Sequence, residues 1–132
     1  MADFLEDGAE LFATMCVRDY DPSLRWYEAL LGTEPSFLAT ATEAVWEIAP
    51  HRWLVVEERS EHAGHGVQTV FVADVDALVA GAAARGIEPS TQEIYGDGVR
   101  KVIFHDPDGN EIGFGGNPVS DAASTSPGRA GR

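Results

Sequence analysis

Hydrophobic residues fall into short runs along most of the chain and recur at helical spacing between some of them. Residues 11–18 and 66–73 form two such runs, and each predicts a β-strand. After the first strand, Leu24, Tyr27 and Leu31 recur three and four positions apart, which predicts a helix with one buried face. After the second strand, an alanine-rich stretch predicts another helix, one that lies close against a sheet.

Both predicted helices have suitable residues at their ends. Asp21 is expected as the N-cap of the first helix, with Pro22 at its first helical position and Gly32 as its C-terminal cap. The second helix is expected to begin at position 74 or 76 and to end at 85, with Gly86 as its cap. Three short strand-like segments follow each helix, at residues 35–40, 44–48 and 52–57 and again at residues 90–94, 98–105 and 110–115.

The two halves of the chain form an internal repeat. Residues 16–21 align with residues 71–76, and the Gly-x-Glu-Pro-Ser sequence at 32–36 recurs at 86–90. Each half therefore predicts the same βαβββ unit. We expect a single α+β domain of two tandem βαβββ modules that form a cupped mixed sheet, with module one at 11–58, a linker at 59–65 and module two at 66–116. Residues 1–10 are expected to be an N-terminal extension, and the composition of residues 117–132 predicts a disordered tail.

The charge balance narrows the range of partners. The chain has 132 residues, with 22 acidic and 9 basic groups and a formal net charge of −13. Nucleic acids and anionic membrane surfaces would repel such a protein. The same charge fits either a cationic ligand or simple solubility. The acidic N-terminus and the lack of a long apolar run lead us to expect a cytoplasmic protein, and a single cysteine, Cys16, excludes a disulfide framework.

Two sequence features resemble the vicinal oxygen chelate superfamily, and the resemblance covers residues 11–116. Val-Arg-Asp at 17–19 precedes a helix that contains Trp26-Tyr27 and ends in Leu-Leu-Gly at 30–32. The sequence His-Asp-Pro-Asp-Gly-Asn-Glu-Ile at 105–112 is similar to the last hairpin of that superfamily, and residues 106–109 suit a type I turn followed by a left-handed residue. The superfamily includes glyoxalases, extradiol dioxygenases, fosfomycin-resistance enzymes and bleomycin-resistance proteins. The resemblance therefore implies the fold and leaves the chemistry open.

The resemblance also implies where a metal would bind. Metal-dependent members have ligands on the first and last strands of each module, at positions that correspond here to Phe12, Glu57, Val67 and Gly113. Only Glu57 can coordinate a cation, so we expect no metal site and no cofactor; a divalent metal is the alternative. Two other sets of donors are less suitable, because their residues are those of a polar linker or of isolated strand ends: His62 and His65 with Glu57, Glu58 and Glu61, and His105 with Glu111.

Strand alternation predicts which side chains line the cup. The expected ligand-binding residues are Phe12, Thr14, Cys16, Trp46, Trp53, Val55, Glu57, Val67, Thr69, Phe71, Glu111 and Gly113. Trp46 is on the strand before that of Trp53, and the face on which it lies is left open. Together these side chains predict an apolar and aromatic cavity that contains one or two carboxylates. The indoles suit planar or cationic ligands, and Glu57 suits either an ion pair with the ligand or a role as a base.

These features favour a metal-independent small-molecule-binding protein similar to bleomycin-resistance proteins, which would sequester an aromatic ligand or antibiotic, including a cationic one. Whether the protein is an enzyme stays open at this point. One alternative is a glyoxalase- or dioxygenase-like metal-dependent lyase or isomerase, and another is a metal-free enzyme with Glu57 or Glu111 as general base. A fold-only accessory role is a further alternative. The resemblance also implies a homodimer.

Overall fold

The computed structural model describes residues 8–116, so the predictions for residues 1–7 and for the tail at 117–132 lie outside the described residues. The elements, in chain order, are β1 (Leu11–Val17), α1 (Tyr20–Leu31), β2 (Phe37–Thr40), β3 (Glu43–Ala49), β4 (Arg52–Glu58), a 3-10 turn (Ser60–His62), β5 (Val67–Phe71), α2 (Val75–Ala84), β6 (Thr91–Ile94), β7 (Arg100–His105) and β8 (Glu111–Gly116). This order confirms the predicted repetition of βαβββ.

Each module builds its own four-stranded sheet. Sheet 1 has the strand order β1-β4-β3-β2, and sheet 2 has the order β5-β8-β7-β6. The first and last strands of each module pair in parallel, and the other neighbours pair antiparallel. A parallel pair needs a long crossover connection, and in each module a helix and two further strands supply it. The predicted α+β fold with two tandem modules is therefore confirmed, with the mixed pairing divided between two sheets.

The start of α1 differs from the sequence prediction. The N-cap is Asp19, whose carbonyl accepts the first helical hydrogen bond from Ser23 N at 3.3 Å. Pro22 is consequently the third helical residue, where it is tolerated because the first N–H groups of a helix have no partner within the helix. Glu58 of β4 accepts a 3.1 Å hydrogen bond from Tyr20 N, which draws the helix start toward sheet 1.

The other predicted helix ends agree more closely with the structure. Gly32 follows α1 in the left-handed conformation, with φ of 76°, and its N–H donates to Glu28 O at 2.8 Å. Asp74 caps α2, because its side chain accepts a 3.0 Å hydrogen bond from Ala77 N. The α2 C-cap is Arg85, and Gly86 follows it with φ of 89°.

One face of each sheet packs into a hydrophobic core that both modules share. Sheet 1 contributes Met15, Val17, Leu54 and Val56, and sheet 2 contributes Phe104, Ile112 and Phe114. Both helices cover this core, α1 through residues such as Tyr27 and Leu30 and α2 through Val75 and Ala82. We call these the helix-covered faces of the two sheets. The opposite face of each sheet, which no helix covers, is called its open face.

The β7–β8 turn connects the two modules. Gly109 N donates to Asp106 O at 2.9 Å, and Gly109 has φ of 96°, as expected for a type I turn followed by a left-handed residue. Arg18 of module one donates to Asp108 from its backbone N–H at 3.1 Å and from its guanidinium at 3.3 Å.

Neither α1 nor α2, the two α-helices of the described residues, is long and apolar enough to span a bilayer.

Candidate functional site

The open face of sheet 1 carries six of the predicted ligand-binding residues. Register pairs place Phe12 beside Trp53, Thr14 beside Val55, and Cys16 beside Glu57. Their neighbours along the strands, such as Met15 and Leu54, point to the core and are fully buried. The six predicted side chains therefore lie together on one surface, as strand alternation requires.

Three aromatic side chains form a cluster on this face, which we call the aromatic cluster: Phe12, Phe37 and Trp53. Phe12 and Trp53 are stacked, with ring centroids 5.6 Å apart and an interplanar angle of 8°. Phe37 meets Trp53 edge to face at 5.9 Å and 69°. Phe12 and Phe37 remain 51% and 46% exposed. Aromatic rings held in fixed geometry and open to solvent offer a stacking surface for a planar molecule.

Sequence reasoning did not identify Phe37 as a site residue. Phe37 pairs in register with Val45, and Val45 pairs with Val55, which places all three on the open face. Val45 and Val55 are buried although they lie on that face. The alternation within 37–40 could have been read from the sequence, but the position of β2 next to β3 could not.

Glu10 was also missed, because it lies in the predicted N-terminal extension. Trp53 Nε1 donates a 2.6 Å hydrogen bond to Glu10 Oε1, and His51 Nδ1 lies 2.7 Å from Glu10 Oε2. The hydrogen bond from Trp53, followed by the contact with His51, lowers the pKa of Glu10 below its ordinary value. One carboxylate thus holds the indole of the aromatic cluster in place.

The open face of sheet 1 is acidic as well as aromatic. Glu43 and Glu57 stand directly opposite each other on β3 and β4, and Glu47 stands opposite Trp53. Like charges in opposed positions of a sheet destabilise it unless a counter-charge is present.

Burial raises the pKa of the neighbouring Cys16 thiol above its ordinary value, which favours the neutral thiol over the nucleophilic thiolate.

The open face of sheet 2 carries the remaining predicted strand residues. Val67 pairs with Glu111, and Thr69 pairs with Gly113. Val67 and Phe71 are 62% and 67% exposed, and Glu111 is half-buried. The predicted set therefore divides between two sheets. A cleft of about 600 Å³ between the edge strands β1 and β5 brings Trp53, Thr69 and Phe71 together.

Trp46 is not on the open face, contrary to its inclusion in the predicted pocket. It is 2% exposed on the helix-covered face of sheet 1, where its ring lies 6.3 Å from that of Tyr27. Its Nε1 donates to Thr33 O at 3.1 Å, so the indole has its polar partner within the core. Trp46 does line a smaller apolar cavity of about 260 Å³ between the modules, together with Leu54 and Phe114.

The donor groups needed for a metal do not assemble at the positions that the resemblance implies. Phe12, Val67 and Gly113 have no donor side chain, which leaves Glu57 alone. Within residues 8–116, no three His, Cys, Asp or Glu side chains form a group that could hold a metal ion. The residues present thus do not fit the divalent ion of the metal-dependent members, which takes several oxygen or nitrogen ligands.

The two sets of histidines considered from the sequence do not change this result. The side chains of His62 and His65 are exposed in the linker between the modules. His105 stands opposite Glu111 in the β7–β8 register, with Nε2 3.9 Å from Oε1, and its Nδ1 lies 2.8 Å from Ser90 Oγ. A pair of this kind supplies two side chains, one fewer than the three that a catalytic zinc site takes from the protein.

The family of the protein follows from comparison with known sequences. The model of the Glyoxalase/Bleomycin resistance protein/Dioxygenase superfamily matches residues 11–114. The chain therefore belongs to this superfamily, and the resemblance noted in its sequence is confirmed. No curated protein sequence matches the chain.

Solved structures with the same fold come from proteins of different described activities. A glyoxalase / bleomycin resistance protein from Catenulispora acidiphila DSM 44928 is 50% identical, with a TM-score of 0.82 over 84% of this chain and 100% of that chain. Lactoylglutathione lyase from Agrobacterium tumefaciens is 18% identical, with a TM-score of 0.69 over 83% and 93% of the two chains. TnmS3, an antibiotic binding protein from Streptomyces sp. CB03234, is 21% identical, with a TM-score of 0.63 over 84% and 97%. The last two show the shared fold alone.

Proposed function

We propose that this protein is a metal-independent small-molecule-binding protein that sequesters aromatic ligands, among them ligands with a positive charge. The observation that carries the proposal is the aromatic cluster, whose rings are fixed against each other and of which Phe12 and Phe37 are about half exposed. Glu43, Glu47 and Glu57 on the same face would attract a cationic group of the ligand. The description of TnmS3 as an antibiotic binding protein is consistent with this use of the fold.

We further propose that two copies of the chain pair as a homodimer. Phe12, Val67 and Phe71 are all more than half exposed, and apolar side chains gathered on open faces are typical of surfaces that meet a partner or a ligand. Multi-angle light scattering tests this part directly. A mass near twice that of the chain is expected, and a monomer across micromolar concentrations would contradict it.

The binding proposal is tested with a matched pair of neighbouring substitutions. Phe37 and Leu38 are adjacent on β2 and similarly exposed, at 46% and 58%, but only Phe37 belongs to the aromatic cluster. Leu38 pairs with Ala44, a residue of the helix-covered face. Phe37→Ala should therefore weaken binding of planar ligands several-fold, whereas Leu38→Ala should leave it unchanged.

The measurement is a titration of aromatic, cationic antibiotics, bleomycin among them, followed by tryptophan fluorescence and by the shift in melting temperature. Quenching that disappears in Trp53→Phe is expected, because Trp53 is the indole on the open face. A broad panel of such compounds that neither quenches nor stabilises the protein would overturn the proposal.

Metal independence is tested separately. The purified protein is exposed to nickel, zinc, manganese and iron salts, dialysed and analysed for metal. We expect much less than one ion per chain, and ligand binding that is unchanged by a chelator. One tightly held ion per chain would instead favour the metal-dependent lyase or isomerase.

A further inference from the structure

Lys101 is the single lysine of the chain, and it lies on the open face of sheet 2. It belongs to β7, and its side chain leans across the neighbouring strand β8. A Cβ atom built on Gly113 would lie 3.1 Å from Lys101 Cε and 3.4 Å from its Cδ and Cγ. The glycine at 113 thus leaves the space that the methylene stem of the lysine occupies.

The ammonium of Lys101 has no carboxylate partner among residues 8–116, where no Asp or Glu oxygen lies within 4.0 Å of it. Glu93 stands directly opposite on β6, but β6 and β8 flank β7 on opposite sides, so the side chain leans away from Glu93. The Glu93 carboxylate accepts a 2.8 Å hydrogen bond from the Tyr95 hydroxyl instead. Glu111 has its Oε1 3.9 Å from His105 Nε2.

A lysine without a nearby carboxylate among the described residues is unusual in a chain with a net charge of −13. The other described cations without a carboxylate within 4.0 Å or another hydrogen-bond partner, Arg25 and Arg52, are exposed to water, whereas Lys101 is half-buried. The methylene stem of Lys101 is packed against β8 while no carboxylate of residues 8–116 pairs with its ammonium, so an anionic ligand group would gain a charge-assisted hydrogen bond there.

Phe71 belongs to β5, on the other side of β8 from β7, and its ring also lies over β8. A Cβ atom built on Gly115 would lie 2.8 Å from Phe71 Cε1, so the ring occupies the space above Gly115 as the lysine stem occupies that above Gly113. The two glycines are two residues apart in β8, which is about 7 Å along a strand. The lysine stem and an exposed phenyl ring therefore lie over neighbouring open-face positions of β8, a spacing that one aromatic acid can span.

We propose that Lys101 and Phe71 form a binding site for an aromatic compound with an anionic oxygen, a carboxylate or a phenolate. The ligand oxygen accepts a charge-assisted hydrogen bond from the Lys101 ammonium, and its ring packs on Phe71. This inference rests on the proposed function, since it names a class of ligand for the second open face. The net negative charge does not prevent such binding, because exposed charges beyond about 8 Å are largely screened at physiological salt.

The test uses three probes with one ring system: 2-naphthoate, 2-naphthylmethanol and 2-naphthylmethylammonium. Their dissociation constants are measured by isothermal titration calorimetry at 0.05 M and 0.5 M salt. We expect 2-naphthoate to bind Lys101→Met about tenfold more weakly than the unaltered protein, with the alcohol unchanged. Arg25→Met removes the same charge from the surface of α1 and should leave all three constants unchanged.

A second measurement reports on the lysine itself. Reductive methylation with ¹³C-formaldehyde labels Lys101 and the chain's α-amino group, and the Lys101→Met variant identifies the lysine signal. That signal should shift on addition of 2-naphthoate and not on addition of the alcohol. Gly113→Ala should weaken 2-naphthoate binding several-fold while Lys101 is still present, because the added methyl group displaces the lysine stem.

The outcomes separate this inference from the proposed function. If the alcohol binds but 2-naphthoate binds no more tightly, or if the Lys101 signal does not move at millimolar 2-naphthoate, the inference is overturned and the proposed function stands. If none of the three probes binds at millimolar concentration, the inference is overturned, whereas the proposed function is decided separately by the titration of larger antibiotics followed through Trp53. Equal loss of 2-naphthoate binding in Arg25→Met and Lys101→Met would show a general charge effect and would also overturn the inference.

Discussion

Tyr27 donates a 2.9 Å hydrogen bond to Oδ2 of Asp106, which lies 79 residues further along the chain. The same carboxylate accepts hydrogen bonds from the backbone N–H groups of Asp108 and Asn110, each at 2.9 Å, and from Asn110 Nδ2 at 2.8 Å. Asn110 Nδ2 also lies 2.8 Å from Cys16 O. Asp106 therefore joins module two to α1 directly, and Asn110, which Asp106 holds in place, joins it to β1.

Tyr27→Phe should lower the free energy of unfolding by about 1.5–3 kcal/mol, because the variant removes a donor from a buried carboxylate. Urea unfolding followed by circular dichroism measures the change. Tyr20→Phe is the matched control, since the Tyr20 hydroxyl is buried without a hydrogen-bond partner in the part of the chain that the structure describes. Removing that hydroxyl should be neutral or stabilising. Equal losses in the two variants would contradict the role assigned to the Tyr27–Asp106 hydrogen bond.

Stability should also depend on alkaline pH through Tyr27. Burial, together with the charge and hydrogen bond of Asp106, raises the pKa of the Tyr27 hydroxyl well above its ordinary value. Above about pH 10 the unfolded chain releases a proton that the folded protein retains, so stability falls as pH rises, by about 1.4 kcal/mol per pH unit for one such group. Urea unfolding between pH 9 and 11.5 should show a shallower loss in Tyr27→Phe. An unchanged slope in that variant would count against this assignment.

The linker glycine Gly64 should not tolerate a side chain. It has φ of 87°, and a Cβ atom there would lie 2.7 Å from Asp108 O in the β7–β8 turn. Gly64→Ala should cost about 2 kcal/mol of unfolding free energy, since backbone strain and a clash with backbone add together. Gly96 has neither a positive φ nor a neighbour within 4 Å of such a Cβ, so Gly96→Ala should be neutral or slightly stabilising. Thermal and urea unfolding distinguish the two, and similar behaviour of both variants would contradict the prediction.

The contact between Glu10 and Trp53 should respond to acid. Because hydrogen bonds in the folded protein lower the pKa of Glu10, this contact is fully present above the ordinary pKa of a glutamate and is lost as pH falls through the lowered value. Trp53 fluorescence, obtained as the difference between the protein and Trp53→Phe, should therefore change below about pH 4. Glu10→Gln should remove this acid transition. A transition that persists in Glu10→Gln would have to come from another group.

Much of the fold could be predicted from local signals. The repeated blocks at 16–21 and 71–76, with a helix after each, indicated two copies of one unit, and Gly32 ended its helix where expected. The start of α1 was predicted two residues late, because Asp19 and Asp21 are both acceptable caps. The hydrogen bond from Tyr20 N to Glu58 accompanies a helix that begins after Asp19. Because Glu58 is 38 positions away, no local sequence signal indicates this bond.

The candidate site was predicted less completely, for a similar reason. Alternation placed Phe12, Trp53 and Glu57 on one face, since that follows from strand geometry alone. It left the facing of Trp46 open, because the polar partner of this indole, Thr33 O, lies just beyond the C-cap of α1. Phe37 and Glu10 join the aromatic cluster and its hydrogen bonds through strand order and through the turn at His51, and neither can be read from the residues themselves.

By itself, the sequence determined the two βαβββ units, the absence of donors at Phe12, Val67 and Gly113, and the strong negative charge, because each of these depends on residue identity and short-range spacing. Only the tertiary structure decided that the predicted pocket residues divide between two open faces and that Asp106 joins the modules. It also decided that Lys101 lies across Gly113 without a carboxylate partner among residues 8–116. These features arise from contacts between residues far apart in the chain. Strand order and the packing of the modules against one core set those contacts, and local periodicity does not encode them.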